Sequence, residues 1–396
     1  MTVTISKPAI NIREKLAEVD KPSGTAGQAL LRAETVAEQQ HLLGVGRRNI
    51  VINGDFSQWQ RGTSFTGVAT SNTYLADRWS YSEGSVSPAF TVTREQGPID
   101  KGFANSIKFN VTTADNSLAG GAYVQLVQKI EGYNLQLLAK GTEHAKSVTV
   151  SFYVKSNKPG RYGLTLWDAQ NNRQNSRSYE IQTPDTWEYK TVTFTGDTTG
   201  TIDNDNTEGL QLTFTLAMGT SYTGGDEGVS SHTGNADDYA PFHEVNLIES
   251  TGNTWELAGV QMEVGTVATP FEHRSYGEQR AECQRYYYKI DSAENNANYQ
   301  RFAMVNIETS TQAEAIFIHP VTMRAIPTLE TTAASGFHIF SANSISVVSA
   351  LSIDQASPHS VGVALTASGG GLTGGYVGIL DANNNKTAEI AFSAEL

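Results

Sequence analysis

The sequence predicts a mainly β protein: a jelly-roll or β-sandwich domain, a second C-terminal β-sandwich domain, and an extended or helical N-terminal arm. Three observations lead there. Short runs alternate apolar and polar residues with a period of two, as strands with one buried face do. Clusters of Gly, Pro, Asn and Asp separate these runs at short intervals. No strand–helix–strand rhythm recurs, which argues against a parallel α/β fold. A length of 396 residues suits two or three cores rather than one. The expected divisions are 1–48, 49–290 and 291–396.

The N-terminal arm differs from the rest in pattern. Thr2 to Ile12 reads as extended chain, Arg13–Val19 as a short helix or more extended chain, and Pro22–Gly27 as a linker. Gln28 to Leu43 is its best helical window, with Leu30, Leu31, Val36 and Leu42 apolar and Gly44 and Gly46 ending it. The spacing is too irregular for a heptad repeat. Such an arm buries little by itself. Packing on sister chains or on a neighbouring protein explains it; a flexible tail is the alternative.

Strands dominate from Asn49 onward. In Ser147–Ser156, Val148, Val150, Phe152 and Val154 alternate with polar residues. Arg161–Trp167 places Tyr162, Leu164 and Leu166 on one face. Trp187–Phe194 shows Trp187 and Tyr189, then Val192 and Phe194 after a phase slip, which reads as a bulge. Leu210–Leu216 and Thr254–Val264 follow, the latter bent near Gly259. Turns are expected at Lys158–Gly160, Asp168–Asn172 and Gly196–Gly200, and loops at Ser71–Ser87 and Thr220–Tyr239. Gly277–Tyr288 reads as a short helix closing the large domain. In the last domain the expected strands are Arg301–Ile307, Ala315–Ile318, Ile345–Val348, Gly362–Leu365 and Tyr376–Leu380, with Met323–Thr328 as a turn or edge.

Charge and cysteine content restrict the function. Charged residues make up 17% of the chain, against roughly a quarter in an average globular protein, so Ser, Thr, Asn, Gln and Gly supply the polar surface. A net charge of −13 disfavours nucleic acid and anionic membrane surfaces as partners. One cysteine, Cys283, allows neither an intrachain disulfide nor a multi-cysteine zinc site. The N-terminus has no apolar signal core, and no run approaches the roughly 20 apolar residues that cross a bilayer.

Motifs for catalysis are sparse. The eight histidines form no metal-ligand spacing, and neither a GxSxG elbow nor a phosphate-binding GxxxxGK[ST] loop occurs. No cofactor is expected, nor enzymatic activity. Asp203, Asp205 and Thr207 alternate oxygen ligands as calcium sites do, yet without an EF-hand's glycine and glutamate spacing; an Asx-rich turn explains them equally. Aromatics carry more. Flat rings stack on the apolar faces of sugars while amides and carboxylates meet hydroxyls. Tyr222, Tyr239 and Phe242, with Asp226 in the same loop, are the glycan-binding candidates, because their flanks are polar. Trp59, Trp79 and Trp167 are expected in the core.

Arg48–Gly62 reads RNIVINGDFSQWQRG and Tyr74–Trp79 reads YLADRW. Trp255–Tyr276 reads WELAGVQMEVGTVATPFEHRSY, and Cys283–Tyr287 reads CQRYY. These segments resemble a family of bacteriophage tail-fibre and minor tail structural proteins with a carbohydrate-binding-module-like jelly roll. The resemblance covers roughly Asn49 to Lys289. It implies a homotrimeric virion tail fibre or spike, made in the host cytoplasm, that attaches to a bacterial surface glycan. The arm would join other tail or baseplate proteins, and the C-terminal domain would form the tip. The motif residues are read as structural: Asn53 and Asp55 as turn formers, Trp59 as core, and Arg61, Asp77 and Arg78 in local ion pairs beside Trp79. Arg274 and Arg285 would anchor the closing segment, and Pro270–Phe271 would set its direction and fill an apolar gap. A polysaccharide depolymerase or glycan esterase, and a purely structural tail adaptor, are the competing readings.

Overall fold

The computed structural model describes residues 27, 47–226, 236–293 and 297–396. The arm's expected elements and residues 227–235 of the expected loop therefore lie outside the described residues. The described residues fall into two compact units. In the smaller, Arg48 meets Thr269–Glu272: its backbone N–H donates to Glu272 at 2.6 Å and its guanidinium to the Pro270 carbonyl at 3.2 Å. The larger holds the described residues of Asn49–Ala268 and His273–Leu396.

Two six-stranded antiparallel sheets come first. Sheet one runs β1 (Ser64–Val68), β4 (Ala89–Gln96), β5 (Asn105–Thr113), β12 (Thr254–Val264), β7 (Val148–Ser156), β10 (Glu188–Phe194). Sheet two runs β2 (Thr73–Tyr74), β3 (Ser80–Gly84), β6 (Tyr123–Glu131), β11 (Glu208–Met218), β8 (Gly160–Asp168), β9 (Arg173–Ile181). Alternate residues of both sheets meet in one apolar core. Phe214 of β11 is central to it: its ring lies 5.1 Å from Phe152, 5.9 Å from Trp255 and 6.1 Å from Trp79. Tilted and edge-on ring pairs of this kind add about 0.5–1.5 kcal/mol each beyond their burial.

The chain enters this core through Asn49–Trp59. Asn53, in left-handed backbone, donates from Nδ2 to the carbonyls of Gln58 and Asp77 and accepts the Gln58 N–H. Gly54 has room for no side chain, since a Cβ there would fall 2.0 Å from the Val260 carbonyl oxygen. The expected bend in β12 is real. Gly259 has φ +60, the register on β7 shifts between Ala258 and Gln261, and the Phe103 ring occupies the space a Cβ would need.

A closed six-stranded barrel follows, where a sandwich was expected. Its order is β14 (Arg301–Ile307), β15 (Gln312–Ile318), β19 (Ser360–Ala367), β18 (Ser344–Ala356), β17 (Phe337–Ser341), β20 (Val377–Ala382), and β20 returns to β14. Closure removes both sheet edges. It also explains why β18 runs far beyond Ile345–Val348: it pairs with β17 at one end and β19 along the rest. A three-stranded sheet of β13 (Tyr287–Asp291), β21 (Glu389–Ser393) and β16 (Thr328–Thr331) packs its apolar residues into the barrel's core.

Three further expectations change. Trp187–Phe194 holds no bulge; β10 pairs with β7 in unbroken register. Tyr189 lies on the outer face, 5.0 Å from Tyr153, and Lys155 covers the Trp187 ring, so the apolar residues simply serve two faces. Ser71–Ser87 contains β2 and β3; β2 pairs with β3, and β3 pairs with β6. The closing helix, α1 (Tyr276–Gln284), starts at a Ser275 cap and stops before Tyr287 and Tyr288, which enter β13.

Sandwich and barrel are joined by arginines. Arg78, fully buried, pairs with Glu395, donates to the Lys129 carbonyl at 2.6 Å and lies 3.5 Å from the Tyr286 ring centroid. Arg61 reaches the same Glu395 at 3.2 Å and stacks on Tyr287. Arg285 forks onto Glu131, and Arg324 donates to the carbonyls of Asn206, Ala394 and Glu395. The ion pairs of Arg61 and Arg78 are thus not local. Asp77 instead accepts two hydrogen bonds from Gln60, at 2.9 and 2.7 Å. Replacing Glu395 with Ala leaves Arg78 buried without its counter-ion. Urea denaturation should show a loss of about 3–5 kcal/mol, the usual result of breaking one side of a buried pair; a loss under about 1 kcal/mol would contradict this account of the joint.

Candidate functional site

On the outer face of sheet two lies a cleft of about 300 Å³, lined by Ser82, Tyr123, Gln125, Trp167, Gln211, Met218, Tyr222 and Tyr239. Strand parity explains its floor. On β6, Val124 and Leu126 point into the core, so Tyr123 and Gln125 point out. On β8, Tyr162, Leu164 and Leu166 point in, so Trp167 points out. Gln211 projects from β11 on the same side.

The wall is the segment after β11. Tyr239 is fixed through its carbonyl, which accepts from Thr165 Oγ1 at 2.6 Å and Ser176 Oγ at 2.8 Å. The Ala240 N–H donates to the Tyr222 carbonyl at 2.9 Å, which ties the two tyrosines together. Four rings follow one another. Trp167 lies 5.7 Å from Tyr239, Tyr239 lies 6.2 Å from Tyr222, and Tyr222 lies 6.4 Å from Tyr123.

Polar groups sit between the rings. Burial pushes the Tyr239 phenol up to about 12, against the pull of hydrogen bonds to Thr213 and Gln125. It stays a neutral donor and acceptor near pH 7. Gln125 is buried, and its amide reaches the Tyr239 phenol. No lining residue carries a formal charge. The nearby Lys129 and Glu208 neutralise each other at 3.3 Å.

The structure separates the sequence candidates. Tyr222 and Tyr239 line the cleft. Phe242, 43% exposed, does not; the Arg161 guanidinium lies 5.5 Å from its ring centroid. Asp226 is also outside the lining, and its N–H donates to the Asp238 carboxylate at 3.2 Å. Trp59 and Trp79 are core, but Trp167 is half-buried and forms part of the cleft. Tyr123, Gln125 and Gln211 were missed. Their parity, opposite to the apolar residues of their own strands, was the available signal.

The remaining candidates have structural surroundings. Asp205 accepts from the Thr207 N–H and hydroxyl in an Asx turn, while the neighbouring Asn206 exchanges hydrogen bonds with Arg324. The Asp203 carbonyl lies against Gly132, where a Cβ would meet it at 2.2 Å. Asp55 caps Ser57. Arg274 pairs with Glu282 and donates to the Asn49 carbonyl. Pro270 is held by Arg48, and Phe271 is half-buried. Among the described residues no group of three or more His, Cys, Asp or Glu is placed to hold a metal ion. No described helix is long and apolar enough to cross a membrane.

No protein-family model and no curated protein match the chain. Solved structures do. The enzymatically active domain of bacteriophage CBA120 tailspike protein 4 matches at 14% identity and TM-score 0.30, over 55% of this chain and 21% of that one. This chain thus matches about a fifth of the tailspike's length. A family 11 carbohydrate-binding module from Clostridium thermocellum, solved with a β-1,3-1,4-mixed-linked tetrasaccharide, matches at 12% identity and TM-score 0.27, over 52% and 98%. The N-terminal cellulose-binding domain of Cellulomonas fimi β-1,4-glucanase C matches at 12% identity and TM-score 0.25, over 48% and 90%. At such identities and scores these likenesses assign no activity to the chain.

His243 links the segment that carries the wall to β8. Its Nδ1 accepts the Gly163 N–H at 3.1 Å, and burial pushes its pKa down to about 4 from the usual 6.5. The folded state therefore favours neutral imidazole. Its contribution is complete above pH 6.5 and is lost as pH falls towards 4, by up to about 3 kcal/mol. Replacing His243 with Asn keeps an acceptor but removes the titration. Denaturation midpoints measured from pH 7 to 4 should fall more steeply for the native protein than for H243N; equal slopes would refute this role.

Proposed function

We propose that the protein binds a neutral glycan in the cleft on the outer face of sheet two. The observation that carries this reading is the row of four rings over uncharged amide and hydroxyl groups. Rings cover the apolar faces of pyranose units, and amides read their hydroxyls. An anionic sugar would meet no cation in the lining, on a chain of net charge −13. Glycan-array screening followed by calorimetry tests this. Neutral oligosaccharides should bind, and Trp167→Ala should weaken them at least tenfold, about 1.4 kcal/mol, without changing the melting temperature much. Binding confined to uronic- or sialic-acid glycans, or untouched by W167A, would overturn the reading.

The wider role follows from the sequence motifs: a phage tail-fibre component attaching a virion to a bacterial surface, with residues 1–48 joining other tail proteins and 291–396 at the tip. Self-association belongs to this proposal. Its support is an apolar row across the barrel, where Met304 faces Ile379, Ile379 faces Phe340 and Phe340 faces Ile345. Met304 and Ile345 are 71% and 62% exposed. Exposed apolar rows of this extent mark protein contacts; that the assembly is a trimer comes from the resemblance. Light scattering should give three chains per particle for the native protein and one for Met304→Asp with Ile345→Asp. A monomeric native protein would contradict it.

A further inference from the structure

We infer that Lys140 is the resident cation of an oxygen cage suited to a hard divalent ion, and that the fold stays independent of such ions because the lysine fills the cage. Four oxygens converge on its ammonium. Asp168 Oδ2 lies at 2.5 Å, the Gly200 carbonyl at 2.7 Å, Asp197 Oδ2 at 3.1 Å and the Thr199 carbonyl at 3.2 Å. An ammonium has three N–H donors. The cage therefore offers one more acceptor than the lysine can use. Two carboxylates with backbone carbonyls form the donor set that calcium takes, at 2.3–2.6 Å.

The cage is prearranged. Asn171 donates to both oxygens of Asp168 and to the Thr201 carbonyl, and Arg173 forks onto Asp197 at 2.7 and 2.9 Å. The Thr199 N–H caps Asp197 at 3.0 Å. Lys140, Asp168 and Asp197 have side chains only 7%, 2% and 3% exposed. Together with Arg173 they balance to zero charge, so removing the ammonium leaves one negative charge in a buried ring of oxygens.

Three segments are joined by the cage: the stretch before β7, the β8–β9 turn and the β10–β11 loop. Asp168 is also the residue after Trp167, so the cage fixes the strand end that carries the cleft's indole. Calcium at Asp203, Asp205 and Thr207 would serve no such purpose, since Asp205 already caps a turn.

The test is Lys140→Ala. The native protein should melt at the same temperature in EDTA and in millimolar calcium chloride. K140A should melt well below it in EDTA and recover most of the difference with calcium, binding one ion per chain by calorimetry. Terbium in place of calcium should give luminescence sensitised by the neighbouring Trp167 in K140A and not in the native protein. If K140A does not fold in EDTA, its refolding yield with and without calcium reads the same property. Calcium without effect on the melting, yield and luminescence of K140A would overturn the proposal, as would a native protein that calcium stabilises.

Discussion

A buried guanidinium holds this molecule together. Arg78 sits in left-handed backbone, at a tight turn between β2 and β3, with its side chain wholly inside the protein. Burying that charge is tolerable only because Glu395, the Lys129 carbonyl and the Tyr286 ring surround it. Each of these comes from a different part of the chain. One side chain therefore requires the sandwich, the closing segment after α1 and the residues that follow β21 to be in place together.

The same strands serve the joint at one end and the cleft at the other. β6 begins at Tyr123, in the cleft, and ends at Glu131, which holds Arg285. β11 begins beside Asn206, which bonds Arg324, and ends at Met218, in the cleft. The floor of the cleft thus lies on paired strands, two of them held at their far ends, with only its wall supplied by a connecting segment. Side chains held on strands, with loops restricted to one wall, would limit the ordering cost of the proposed binding.

Much of the fold was legible in the sequence where burial is one-sided. Thr254–Val264 was read with the right ends, because its apolar residues and Gly259 both belong to it. Arg173–Ile181, RQNSRSYEI, was not, because nine-residue pairing with β8 makes it a strand, not its own polar composition. Barrel closure was equally hidden, since the pairing of β20 with β14 joins residues 71 to 80 positions apart. The cleft was half legible. Tyr222 and Tyr239 stood out by their polar flanks. Trp167 was taken for core by residue type, although its parity against Leu164 and Leu166 placed it on the other face. The arginine motif was visible, but its partner at Glu395 could not be inferred from local spacing.

The proposed glycan-binding surface is the row of rings in the cleft. The most direct measurement follows the indole N–H resonances of the five tryptophans during titration with a neutral oligosaccharide. The resonance of Trp167 should shift with saturable dependence on ligand, while Trp59, Trp79, Trp187 and Trp255 stay in place. A saturable shift at Trp187 with Trp167 unmoved would contradict the account, because it would put recognition on the opposite sheet.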